Sequence, residues 1–251
     1  MQCKIFDVLP SVIKLINTRQ HANRVPQLIT IIETIHFVTM AKPQLVTDYL
    51  CFRRENAVKF LLELEQCFVH QELGIKFEII EFFKSVLDPQ NDNQELIAKL
   101  FFSEILLKLV KDVVAEANKK DGKLQFEFKN MLEIFFDLLI YCLENHLELM
   151  RSFIIDNALI QELLSIIEPD DKLIIIYFVR FFKMILLKND SFLTSFLLEK
   201  KLLDKVMDLY YIYSEKTNMV VSSFLSMFQL IHKQNLKKVI IYIGEKQSEE
   251  I

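Results

Sequence analysis

Apolar residues recur at i, i+3, i+4 and i+7 along nearly the whole chain. That spacing puts side chains on one face of an α-helix, and no other feature limits the fold as strongly. Only 3 Gly and 5 Pro occur in 251 residues, too few turn-formers for the many tight hairpins of an all-β domain. The spacing predicts helices over 6–17, 24–39, 43–52, 55–70, 75–87, 94–116, 126–145, 147–155, 157–167, 171–187, 190–199, 201–213, 217–233 and 236–243. The breaks have local causes. Pro43 suits a first helical turn. Asp88-Pro89-Gln90-Asn91-Asp92-Asn93 reads as a polar turn. Glu168-Pro169-Asp170-Asp171 ends one helix and supplies acidic residues to start the next. Asn118 to Lys123 is the longest polar loop and the expected place for a nick.

Residues of the AVILMFWYC set make up 52% and charged residues 25%, which excludes disorder. Lys plus Arg is 30 against 34 Asp plus Glu, a net charge of −4, so the basic footprint of a dedicated nucleic-acid binder is missing. The most apolar stretch, Leu173 to Leu187, is broken by Arg180 and Lys183 and bounded by Asp170, Asp171 and Lys188. A membrane span needs roughly 20 apolar residues in a row, so the apolarity reads as helices buried on most sides. The N-terminus has no basic region leading into an apolar run, as a secretory signal would. Cys3, Cys51, Cys67 and Cys142 form no CxxC pair and no His/Cys ligand cluster, and reduced intracellular thiols are expected.

A repeat emerges in the C-terminal half. Arg151-Ser152-Phe153-Ile154-Ile155 matches Thr194-Ser195-Phe196-Leu197-Leu198, and Leu159-Ile160 matches Leu202-Leu203 at the same spacing. Phe178 to Ile185 then matches Phe224 to Ile231 after a small insertion, and a further copy starts at Ile241-Tyr242-Ile243. Each unit is a short, a medium and a long apolar helix, about 40 to 47 residues in all, as in armadillo-type arrays. A fainter copy runs from Leu45 to Leu87. Such units bury their apolar faces on one another. The expected fold is therefore all-α: an armadillo/HEAT-like α-solenoid, a right-handed superhelix of three-helix repeats. It forms one domain over 1–251 with a weak internal boundary at 117–124. Within it, helix 171–187 is apolar nearly all round except for a stripe of Lys172, Ile176, Arg180, Lys183 and Leu187.

Signs of chemistry are weak. Cys142 and His146 lie four apart on one helix, a spacing open to a nucleophile pair but read as a buried structural thiol beside a helix-end histidine. His21, His36, His70 and His232 are scattered, without HExxH. Glu133, Asp137 and Glu144 share one helix face and read as a solvated acidic stripe. The adjacent pairs Phe82-Phe83, Phe101-Phe102, Phe135-Phe136 and Phe181-Phe182 read as core. Arg180 and Lys183 stand out, because two cations on an otherwise apolar helix are costly unless they meet water or an acidic partner. With Lys172 they form the candidate partner-binding stripe, against a plain reading as snorkelling side chains.

The segment Ile140 to Phe192 resembles the central armadillo-like domain of regulatory subunit 3 of protein phosphatase 4, the SMEK/Falafel family. The residues that carry this are Cys142-Leu143-Glu144-Asn145-His146, Arg151-Ser152-Phe153-Ile154, Leu159, Val179 to Ile185 and Asp190-Ser191-Phe192. Upstream, Glu81-Phe82-Phe83-Lys84-Ser85-Val86-Leu87-Asp88-Pro89 and Phe101-Phe102 are similar to the family in order and spacing. These are packing motifs. The resemblance implies a non-catalytic scaffold, nuclear and cytoplasmic, that assembles with a phosphatase catalytic subunit and a companion regulatory subunit. The partner-binding residues are then Arg180, Lys183 and Lys172. No cofactor, metal, nucleic acid, membrane or small-molecule ligand is expected. The family's N-terminal pleckstrin-like domain, which reads proline-containing peptides, has no counterpart here, so substrate-motif recognition is not assigned to this chain. An unrelated armadillo-type adaptor for transport or cytoskeletal regulation is the competing expectation.

Overall fold

The computed structural model describes residues 5–18, 24–70, 72–119, 125–215 and 218–249. Every regular element among them is helical: α1 (Ile5–Thr18), α2 (Arg24–Ala41), α3 (Pro43–Phe52), α4 (Arg54–His70), α5 (Leu73–Val86), α6 (Gln94–Leu100), a π-helical turn (Phe101–Leu106), α7 (Leu107–Ala117), α8 (Gln125–Asn145), α9 (Leu147–Asp156), α10 (Leu159–Ser165), α11 (Lys172–Leu187), α12 (Ser191–Glu199), α13 (Leu202–Tyr213), α14 (Met219–Lys233) and α15 (Lys237–Glu249). The fold is all-α, as the periodicity predicts. The π-helical turn inside the predicted 94–116 helix is new. Phe101, Phe102, Ile105 and Leu106 are buried along it. The last helix also runs beyond the predicted 236–243.

Two compact units divide the chain, Met1–Tyr141 and Cys142–Ile251. The loop at 117–124 lies largely outside the described residues, as do Cys3, His21 and the side chain of His70. Within each unit, helices pack on their chain neighbours and on the helix about three elements further along. In the first unit α1 packs on α4, α2 on α5, α3 on α6 and α4 on α7. In the second α9 packs on α12, α11 on α14 and α12 on α15.

The core of the first unit is threaded by aromatic rings. Phe6, Tyr49, Phe60, Phe82, Phe83, Phe101 and Phe102 form an unbroken chain of ring contacts, mostly edge-on or tilted as the ring quadrupoles favour. In the second unit Tyr210, Phe224 and Phe228 form a triangle with centroids 5.6, 5.2 and 6.4 Å apart. All four adjacent Phe pairs named above are buried.

With so few glycines, other residues take the left-handed turns. Asn93, Asn189 and Asn235 do so with φ of 59°, 49° and 49°, the polar residue type that tolerates this region best. Ala158 and Lys201 do so as well, with φ of 50° and 53°. Ala158 stands directly before Leu159-Ile160, and Lys201 directly before Leu202-Leu203, the pair matched to it in sequence. Asn189 and Asn235 likewise follow α11 and α14. The sequence correspondence in the second unit thus has a backbone counterpart.

Candidate partner-binding face

Helices α11 and α14 pack on each other. Phe178, Val179, Phe181 and Phe182 of α11 and Val220, Phe224 and Met227 of α14 are buried. What remains is an outward stripe on each helix. On α11, Lys172, Leu173 and Arg180 are exposed, and Ile176, Lys183 and Leu187 are half-buried. On α14, Met219, Ser222, Leu225, Gln229 and Lys233 are exposed and Ser226 is half-buried. Lys183 donates to Ser226 Oγ at 2.7 Å, so it ties the two helices together as well as carrying charge. Lys172 and Arg180 form no ion pair among the described residues.

The electrostatics of this pair are distinctive. Neither α11 nor α14 contains an Asp or Glu, and they are the two described helices of which that is true. They lie side by side in a chain whose net charge is −4. The result is a continuous outward surface with cations, hydroxyls and apolar side chains but no carboxylate of its own. An acidic segment laid on it meets no like charge from either helix.

Within the second unit, Arg151 donates from Nη1 to Asp190 Oδ2 at 3.0 Å. Asp190 Oδ1 accepts from the Phe192 and Leu193 amides, both at 2.9 Å, and so caps α12. The Arg151 guanidinium also lies 5.2 Å from the centre of the exposed Phe192 ring. Burial opposes ionisation of Asp190, yet the Leu193 amide and Arg151 hold its carboxyl below the usual value. These are residues on which the family resemblance rests. Their separation of 39 residues along the chain leaves no local pattern that would show they meet.

In the first unit, two buried charges serve the fold. Lys76 donates to the Phe68 and Val69 carbonyls at 2.8 and 2.9 Å, closing the C-terminal end of α4. Burial lowers its pKa to about 8. Glu65, its side chain fully buried, pairs with Lys108, which also reaches Asp112 at 2.6 Å. Both clusters escaped sequence reading because α4, α5 and α7 meet only in the folded unit.

The remaining candidates look structural. Cys142 is fully buried and His146 nearly so, and the His146 amide donates to the Cys142 carbonyl at 2.9 Å as α8 ends. Cys51 is half-buried, and burial, then Asp48, pushes its thiol pKa up. Asp137 is held by Lys84 at 2.5 Å, while Glu133 and Glu144 are exposed on the same helix. Among the described residues no group of three or more His, Cys, Asp or Glu could hold a metal ion. No described helix is long and apolar enough to cross a membrane.

A family model, phosphatase 4 regulatory subunit 3, matches residues 4–251. Among curated proteins, Suppressor of Mek1 of Dictyostelium discoideum is 22% identical over 225 residues, covering 82% of this chain and 21% of its own length. Serine/threonine-protein phosphatase 4 regulatory subunit 3 of Drosophila melanogaster is 21% identical over 180 residues, covering 70% of this chain and 18% of its own. Protein PPP4R3C1 of Mus musculus is 20% identical over 175 residues, covering 64% and 22%. The chain thus spans about a fifth of the length of these relatives. No solved structure matches.

Proposed function

Because this chain belongs to the phosphatase 4 regulatory subunit 3 family, we propose that it is a non-catalytic scaffold of a protein serine/threonine phosphatase complex. In this reading it binds a phosphatase catalytic subunit and a companion regulatory subunit through its helical surface, in the nucleus and cytoplasm. The observation that carries the binding mode is the carboxylate-free face of α11 and α14, where Lys172 and Arg180 are exposed and the half-buried Lys183 is held by Ser226. Arg180 is the principal contact, since a guanidinium pairs bidentately with a carboxylate. Lys183 contributes charge from a position fixed by Ser226, and Lys172 extends the stripe. Leu173, Ile176 and Met219 supply apolar contact beside the cations, which suits an acidic segment that also carries bulky apolar side chains.

The test is isolation of the tagged chain from cells under native conditions, with phosphopeptide hydrolysis measured on the isolate and on the purified chain alone. The reading predicts phosphatase activity and a phosphatase catalytic subunit in the isolate, and none from the chain alone. Hydrolysis by the chain alone would contradict it, as would an isolate with neither catalytic subunit nor activity.

A further inference from the structure

We propose that the outward face of α2 and α5, in the first unit, docks a basic, arginine-bearing segment of a partner protein. The two helices run side by side in the same direction. His36 of α2 meets Glu78 of α5 at 3.2 Å, and further along Ser85 Oγ of α5 donates to Met40 Sδ of α2 at 3.5 Å. The residues that α2 buries are Leu28, Ile32, Ile35 and Thr39, and α5 buries Ile75, Ile79, Phe82 and Phe83. Helical geometry puts Phe37 and Phe77 on the far side of their helices from these. They are accordingly 72% and 52% exposed, with Met40 between the helices at 68%. Two exposed phenyl rings on adjoining helices, with a thioether beside them, form an apolar surface that neither helix needs for its own packing.

The charge around this surface selects its occupant. Glu33 is exposed on the same stripe of α2 as Phe37; Glu78, which meets His36, and Glu81, which with Asp137 shares the single cation Lys84, flank Phe77 on α5. Against them, the cations of α2 stand at its ends, Arg24 as its first residue and the exposed Lys42 just past its last, with no Lys or Arg between. On α5, Lys76 is buried, and Lys84 is already held by Glu81 and Asp137 at 2.8 and 2.5 Å. Exposed rings beside carboxylates suit a guanidinium in particular. It stacks on a phenyl face and pairs with a carboxylate at the same time, which a lysine ammonium does less well. A bulky apolar side chain next to the arginine would cover Met40. The face is the electrostatic opposite of the α11–α14 surface and is independent of the function proposed there.

The experiment uses the full chain and a fluorescent twelve-residue peptide of alternating arginine and leucine, read by anisotropy at two salt concentrations. Phe37→Ser with Phe77→Ser should weaken binding at least about tenfold, two exposed cation–π contacts' worth. Glu33→Lys alone should weaken it severalfold and flatten its salt dependence. The lysine version of the peptide should bind more weakly than the arginine version. If the double serine variant loses helicity, Glu33→Lys decides alone, because Glu33 is exposed. Equal binding by wild type and a folded variant would overturn the proposal. So would sedimentation of the chain as an oligomer that the double serine variant abolishes, which would make the occupant a second copy.

Discussion

Arg151 and Asp190 meet at 3.0 Å, 39 residues apart in sequence, and the same Asp190 carboxylate caps α12. One carboxylate therefore closes α12 and ties it to α9. Asp190→Ala should cost about 1–2 kcal/mol, the loss of an N-cap plus a charge-assisted hydrogen bond. Asp190→Asn keeps a capping oxygen and gives up the ion pair, and should cost about half as much. Urea unfolding of the two variants separates the contributions; equal losses would show that the cap is not made.

Much of this architecture was legible in the sequence. The apolar period located nearly every helix, because in packed amphipathic helices burial follows the 3.6-residue turn directly. The wet stripe of α11 was legible in part: Lys172 and Arg180 are exposed, while Ile176, Lys183 and Leu187 are only half so and Leu173, outside the stripe, is exposed. Sequence reading could not find pairings set by packing. Glu65 with Lys108, and Lys76 with the end of α4, link different helices, and nothing in their local pattern marks them. Phe37 and Phe77 were missed for another reason: an aromatic residue in an apolar stretch reads as core, and only their offset from the buried stripe of each helix shows otherwise.

Ala158 and Lys201 hold left-handed backbone without glycine. That conformation costs an L-residue roughly 1–2 kcal/mol. Glycine removes the strain but adds freedom to the unfolded chain, worth about 0.4–1 kcal/mol. Ala158→Gly and Lys201→Gly should therefore each stabilise the protein by up to about 1 kcal/mol. The check is denaturant unfolding of each variant. Destabilisation by both would mean that neither residue takes up that conformation.

Glu65 gives stability a pH dependence. Burial, opposed by the bond to Lys108, pushes its pKa up to about 7 from an ordinary 4.5. The folded state therefore binds more protons than the unfolded state between those values, and this contribution to stability is lost as pH rises from 4.5 through 7. Glu65→Gln cannot titrate, so the variant should gain on the wild type across that window by a few kcal/mol at most. Parallel stability curves for the two proteins from pH 4.5 to 8 would show that folding does not raise the Glu65 pKa.

The central claim is that an acidic partner segment lies on α11 and α14. Its most direct test is the affinity of the chain for phosphatase catalytic and companion subunits, wild type against Arg180→Glu with Lys183→Glu, with helicity followed in parallel. Arg180 is exposed, and Lys183 gives up only its bond to Ser226, so the variant should fold. The account predicts at least about a tenfold loss of affinity, with Arg180→Glu alone supplying most of it. A folded double variant that assembles as tightly as the wild type would contradict it.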